Sequence, residues 1–162
     1  MSVRSAGAAD AAAIARIYNH YVRHTVITFE EEDVGADAMA GRIAEVQAQS
    51  LPWLVAELDG AVVGYAYASR WKARSAYRHS VETTIYLEPG REARGLGTTL
   101  YSALLPLLRA RGIHVAIGGA ALPNAASVAL HRKLGFEPVG TFRQVGFKQG
   151  RWVDVGYWEL LL

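Results

Sequence analysis

Two hydrophobic rhythms alternate along the chain. From Asp10 to about Tyr21, apolar Ile14, Ile17, Tyr18 and Tyr21 recur at helical intervals among alanines, which predicts an amphipathic helix. Met39, Ile43 and Val46 predict a second helix over Ala36–Gln49. The period then changes. Trp53–Leu58 and Ala61–Ser69 read as strands joined at Asp59-Gly60, a strong two-residue hairpin signal. Val81–Leu87, rich in β-branched and aromatic residues, reads as another strand, ended by Glu88-Pro89-Gly90. Helical spacing returns from Gly95 to about Arg111 through Leu96, Leu100, Leu104 and Leu107/Leu108; Pro106 is expected to kink or shorten this helix. Val115–Ala120 predicts a strand, and Pro123-Asn124 precedes a helix to about Leu134, stopped by Gly135. Glu137–Phe147 and Trp152–Leu160 predict a closing hairpin, and Ser2–Arg4 a short first strand. Strands clustered beside helices point to an α+β (mixed α/β) domain rather than a doubly wound one.

Composition narrows this picture. At 162 residues the chain suits one domain, spanning 1–162. It has no cysteine, which excludes disulfides, a cysteine nucleophile and a thiolate metal site. No metal is expected: the five histidines are scattered, and His20 and His24, four residues apart, have no paired carboxylate. A net charge of +2 offers little to a nucleic acid. No stretch approaches the ~18 apolar residues of a membrane span. The N-terminus lacks the apolar core of a signal peptide, so a cytoplasmic location is expected. Arg70, Lys72, Arg74, Arg78, His79, Arg91 and Arg94 form a basic cluster, readable as a solvated loop face or as a pocket for anionic groups.

Glu92-Ala93-Arg94-Gly95-Leu96-Gly97-Thr98 lies between a predicted strand and a predicted helix. The free N–H groups of a first helical turn carry partial positive charge, and glycine lets a phosphate approach them. A Walker loop fails here because Thr98-Thr99 follows Gly97, and a dinucleotide fingerprint fails because Leu100 replaces its third glycine. A tight turn with no ligand also fits these residues.

The loop gains meaning from its neighbours. The order strand, Arg94-Gly95-Leu96-Gly97-Thr98, helix, strand, Asn124, helix, Leu134-Gly135-Phe136 resembles the GNAT acyltransferase superfamily. Further segments resemble its phosphinothricin and methionine sulfoximine N-acetyltransferase branch. They include Ile17-Tyr18-Asn19, Trp71 to Tyr77, Val81 to Tyr86, His131 to Phe136 and Gly146-Phe147-Lys148, nearly end to end. The resemblance implies a central mixed, mostly antiparallel twisted sheet of about seven strands with about four helices. It also implies acetyl-CoA as co-substrate, a small amino-acid-like amine as acceptor, and a homodimer. By resemblance, the backbone of Ile85, Tyr86 and Leu87 pairs with the pantetheine arm, the backbone of Ala93, Arg94, Gly95, Leu96, Gly97 and Thr98 holds the pyrophosphate, and Asn124 bonds the pantetheine with Ser127 nearby. Lys72, Ala73, Arg74, Glu82, Thr83 and Thr84 are implied to touch acceptor. Glu92 departs from the usual Gln or Arg, and its carboxylate is expected to face solvent.

Acetyl transfer to an amine needs a base for the ammonium proton, stabilisation of the thioester oxygen, and in some cases a proton for the thiolate. Strand alternation puts Glu82, Thr84 and Tyr86 on one face. Burial on that face would raise the Glu82 pKa and suit it to act as base, directly or through water; an exposed edge carboxylate is the alternative. A strand N–H near Leu87 is the candidate oxyanion donor. His131 reads either as acid for the thiolate or as a helix-surface histidine that only packs. Arg74 can grip an anionic group bidentately, Lys72 adds charge, and Phe29 and Tyr77 are expected walls of the acceptor pocket. Competing readings are an acetyltransferase for protein N-termini or other small amines, and a non-catalytic acyl-CoA-binding module.

Overall fold

The computed structural model describes residues 1–92 and 94–162. Seven strands form one sheet: β1 (Ser2–Ser5), β2 (Trp53–Leu58), β3 (Ala61–Arg70), β4 (Ser80–Leu87), β5 (Val115–Leu122), β6 (Glu137–Lys148) and β7 (Arg151–Leu161). Their spatial order is β1-β2-β3-β4-β5-β7-β6. Every neighbouring pair is antiparallel except β4 and β5, which are parallel. The expected mixed, mostly antiparallel sheet is present.

Helices cover both faces. α1 (Ala11–His24) and α2 (Ala36–Ala48) precede β2, α3 (Leu96–Ala110) crosses from β4 to β5, and α4 (Ala125–Lys133) follows β5. Tyr86 of β4 packs on Tyr18 and Tyr21 of α1, with ring centroids 5.2 and 5.1 Å apart. Thr83 instead meets Tyr101 of α3, whose hydroxyl donates to the Thr83 hydroxyl at 3.1 Å. Residues 83 and 86 have opposite parity on a strand, so α1 and α3 cover opposite faces. Consecutive Val55 and Ala56 of β2 are both fully buried, as a strand covered on both sides requires.

The Asp59-Gly60 turn has positive φ at both residues, 52° and 78°, as a type I′ hairpin needs. α1 runs three residues past its predicted end, to a stop at Thr25, whose hydroxyl and N–H both donate to Tyr21 O. The expectation that Pro106 shortens its helix fails, because α3 runs unbroken through it. A proline inside a helix costs ~3 kcal/mol. Leu100, Leu104 and Leu108 are wholly buried, and at roughly 1.5–3 kcal/mol each their burial outweighs that cost.

Candidate active site

The sheet carries a defect between its two parallel strands. β4 and β5 pair only over Ser80–Glu82 and Val115–Ile117, although both continue for five further residues. β5 stays paired to β7 as far as Leu122, and β4 to β3 as far as Leu87, so the two halves of the sheet part beyond Glu82 and Ile117. Glu88 N donates to Val63 O. Alternation from that bond turns the main-chain groups of Ile85 and Leu87 away from β3, toward the gap. Tyr21 of α1 holds the end of this edge, its hydroxyl donating to Leu87 O at 2.6 Å.

A cleft of about 1010 Å³ occupies the gap and draws residues from both faces. On the α3/α4 face lie Thr83, Gly95, Gly97, Thr98, Tyr101, Asn124, Ser127 and His131. On the α1 face are Glu82, Thr84, Tyr86, Phe29 and Tyr157. A second hollow of about 760 Å³, near Val3, Trp53 and Arg111, is lined by no acid or imidazole and offers no comparable chemistry.

The glycine loop enters α3 at the cleft. Gly95 caps the helix at φ 78°, a left-handed conformation that suits glycine. A Cβ on Gly97 would come within 3.0 Å of Leu130, so glycine also allows α3 and α4 to close together. The first N–H groups of α3 therefore face a glycine-walled end of the cleft, the arrangement that attracts phosphate. Arg94 is exposed, and Ala93 lies outside the described residues. Glu92 is exposed but also lines the cleft, and its carboxylate accepts from Gly90 N at 2.8 Å. Asn124 caps α4, its Oδ1 accepting from Ser127 N at 3.1 Å, which leaves its amide N–H groups available to a ligand.

Glu82 is half-buried, and desolvation raises its carboxyl pKa against a smaller opposing pull from Lys72. Tyr157 of β7 shares this environment: burial and the Glu82 charge both push its phenol up. His131 is not on the helix surface, where one of its two readings put it. It is 3% exposed, and burial lowers its pKa. Nδ1 lies 2.7 Å from Ser127 O, so that nitrogen carries the proton and donates it to the carbonyl. Nε2 is then a buried acceptor without a partner among the described residues. A neutral imidazole with its one N–H so engaged has no proton ready for a thiolate.

The structure thus brings together Phe29, Glu82, Thr83, Thr84, Ile85, Tyr86, Leu87, Gly95, Gly97, Thr98, Asn124, Ser127 and His131 around one cleft. Leu96 is buried beneath the loop. Lys72, Ala73, Arg74 and Tyr77 lie on an exposed segment and do not line the cleft. Their contact with it is indirect: Lys72 Nζ sits 4.9 Å over the Trp71 ring, which meets the Tyr157 ring edge-on at 5.8 Å. Among the described residues, no group of three or more His, Asp or Glu is placed to hold a metal. Among the described residues, no helix is long and apolar enough to cross a membrane.

A family model described as an acetyltransferase (GNAT) domain matches residues 3–156. The chain belongs to the GNAT acetyltransferase family. A phosphinothricin N-acetyltransferase of Streptomyces viridochromogenes is 42% identical over 159 residues, covering 98% of this chain and 86% of that protein. The structure of a GNAT superfamily phosphinothricin acetyltransferase from Sinorhizobium meliloti, in complex with AcCoA, superposes with a TM-score of 0.96 at 40% identity, over 99% of this chain and 88% of that one. A structure described as a ribosomal-protein-alanine N-acetyltransferase from Brucella melitensis matches with a TM-score of 0.97 at 38% identity and full coverage of both chains. Within this GNAT fold, sequence reasoning missed Tyr157, Tyr101 and Thr28. Tyr157 had one signal, the Gly118-Gly119 pair inside a strand. A Cβ on Gly119 would lie 3.0 Å from the Tyr157 ring, and one on Gly118 would lie 2.3 Å from His131 Nε2.

Proposed function

We propose that this chain is a single-domain N-acetyltransferase that moves acetyl from acetyl-CoA to the amine of a small amino-acid-like acceptor, of the phosphinothricin, methionine sulfoximine or methionine sulfone type. One observation carries the reading: the parted β4 edge, the N-terminus of α3 and the Glu82 carboxyl converge on one cleft open to both faces of the sheet. The α3/α4 side suits the coenzyme. Its pyrophosphate belongs at Gly95–Thr98, its amide-bearing arm along Ile85 and Leu87, and a polar group of that arm at Asn124. The α1 side suits the acceptor, with its amine at Glu82 and Thr84 and its anionic end turned outward to Lys72 and Arg74.

In the reaction Glu82 takes the ammonium proton, directly or through water. The amine nitrogen attacks the thioester carbonyl; the C–N bond forms, the C–S bond breaks and coenzyme A leaves as thiolate, while the second proton that the nitrogen sheds on becoming an amide passes through water to that thiolate. A thiol of pKa near 8.5 leaves readily without help. The main-chain N–H near Leu87 supports the carbonyl oxygen as it gains charge. The buried, neutral state of His131 favours its packing role over the acid role. Exposed Val139, Phe142, Phe147 and Trp152 on the β6–β7 edge support a homodimer closed by a second copy. Dependence on acetyl-CoA fits work in the cytoplasm.

The similarity to a ribosomal-protein-alanine N-acetyltransferase favours a second reading, acetylation of a protein N-terminus. The deciding experiment is an amine panel with acetyl-CoA, read by thiol release. It contains phosphinothricin, methionine sulfoximine, methionine sulfone, ordinary α-amino acids and alanine-led peptides. Turnover of the amino-acid-like amines is expected, and turnover confined to peptides rejects the reading.

A further inference from the structure

Between α1 and α2 the chain crosses the acceptor side of the cleft as a strap, Thr25 to Gly35. Its far end is tied to α1. Asn19 Nδ2 donates to Val34 O at 2.9 Å while Val34 N donates to Asn19 Oδ1 at 2.8 Å, and Arg23 pairs with Asp33. The tip, Thr28 and Phe29, reaches the cleft wall and is fastened differently. Lys148, 120 residues away on β6, donates from Nζ to Thr28 O at 2.7 Å. Two residues back, the Phe29 ring covers Gly146 so closely that a Cβ there would lie 2.3 Å from it. From beneath, the Tyr18 hydroxyl and Thr28 Oγ1 are 2.7 Å apart.

Lys148 is only 3% exposed, and no carboxylate forms a salt bridge with it among the described residues. Withdrawing an ammonium from water costs several kcal/mol, so a lysine here is an expensive way to fill space. An apolar side chain would fill it at lower cost but could not fix the direction of a carbonyl. The ammonium feels the nearby carboxylates of Glu30 and Glu31 on the strap, and it adds one charge-assisted hydrogen bond to the residue that turns Phe29 into the cleft. We propose that Lys148 is a positioning residue for acceptor recognition: it hangs the strap tip from β6 and so sets the Thr28–Phe29 wall that shares the cleft with Glu82. This rests on the acceptor side proposed above. The coenzyme side, built from α3, α4 and the β4 edge, does not depend on it.

The test is Lys148→Met, which keeps the apolar stem and removes the ammonium. A lost hydrogen bond to a charged group corresponds to roughly a tenfold effect. The acceptor KM is expected to rise about tenfold, with kcat changed less than about threefold and the acetyl-CoA KM unaltered. Amide hydrogen exchange across residues 25–31 is expected to quicken while α3 keeps its protection, and Lys148→Arg is expected to restore both readouts in large part. Should Lys148→Met not fold, Gly146→Ala moves the Phe29 ring with Lys148 in place and is expected to give the same acceptor-selective rise. Equal rises in both KM values, an unchanged acceptor KM, or unchanged exchange over 25–31 overturns the proposal. If the wild-type protein acetylates no amino-acid-like amine, the functional reading falls separately, and the exchange measurement still decides the role of Lys148.

Discussion

In the reaction proposed above, replacing Glu82 by glutamine removes the base and almost nothing else. The side chain keeps its volume, and the influences on its carboxyl are burial and the Lys72 charge, so no hydrogen-bond network collapses with it. A positioned general base contributes about 100-fold to 10,000-fold in rate, equivalent to about 2.7–5.4 kcal/mol of barrier at 1.36 kcal/mol per decade. Glu82→Gln is therefore expected to lower kcat/KM at least 100-fold in a thiol-release assay. Acetyl-CoA affinity by calorimetry should hold within about twofold, because the coenzyme side does not include Glu82. The pH dependence has a definite sign. Burial raises the folded-state pKa of Glu82, so wild-type kcat/KM should climb with pH through a range above that of an ordinary glutamate, and this limb should vanish in the variant. Stability runs the other way. A carboxyl that holds its proton more tightly when folded costs nothing below its unfolded pKa; the penalty appears as pH rises toward the folded value and persists above it. Glu82→Gln should therefore raise Tm at neutral pH and leave it unchanged near pH 3. Retained turnover, or a rising limb that survives the substitution, refutes the assignment.

Three other outcomes follow from contacts around the cleft. Gly118→Ala puts a Cβ 2.3 Å from the His131 ring, which is 3% exposed and cannot retreat. Overpacking of this kind costs about 1–3 kcal/mol and shifts Tm by about 2–4 °C for each, whereas Gly119→Ala, facing half-buried Tyr157 at 3.0 Å, should cost less by the same melting experiment. Asn124→Asp keeps an oxygen for Ser127 N but loses the amide donor, so it should raise the acetyl-CoA KM without lowering Tm; Asn124→Ala should do both, with about 1 kcal/mol of stability lost. Phe147→Glu, on the exposed face where the tilted Phe147 and Trp152 rings lie 4.8 Å apart, is expected to give a monomer by sedimentation, against the dimer proposed for the wild type.

Features with a local cause were readable in advance. The Asp59-Gly60 hairpin, the glycine entry to α3 and the parity that pairs Glu82 with Thr84 and Tyr86 each depend on a few adjacent residues. Pro106 does not shorten α3, because its cost is local while the burial that outweighs it is tertiary. The burial of His131 has a similar, tertiary cause: nothing in the short α4 pattern says that a glycine on β5 will admit its ring. Lys72 and Arg74 chemically suit an anion, but loops have no period, and their spacing could not show that they would fall at the rim rather than in the cleft wall. The Lys148–Thr28 bond spans 120 residues and leaves no trace in local pattern.

The cleft itself has a cause that joins these scales. β4 and β5 are held together by three residue pairs, while each is bound along its whole length to its other neighbour. Immediately after the last pair, Ile117, come Gly118 and Gly119, which face opposite sides of the sheet. His131 presses onto the first from the α4 face and Tyr157 onto the second from the α1 face. With a ring on each side, β5 follows β7 rather than β4, and the main-chain groups of Ile85 and the N–H of Leu87 lose the partners that a continuous ladder would give, while Leu87 O is taken by the Tyr21 hydroxyl. Unpaired backbone in a half-buried place is costly unless something bonds to it. In the proposed function, an extended, amide-bearing chain anchored by phosphate at Gly95 and Gly97 supplies such a partner. The same parting opens a path from the α3 face to Glu82 on the α1 face. Had residues 118 and 119 carried ordinary side chains, the rings could not seat and the sheet would be expected to close, with donor and acceptor on opposite sides of it.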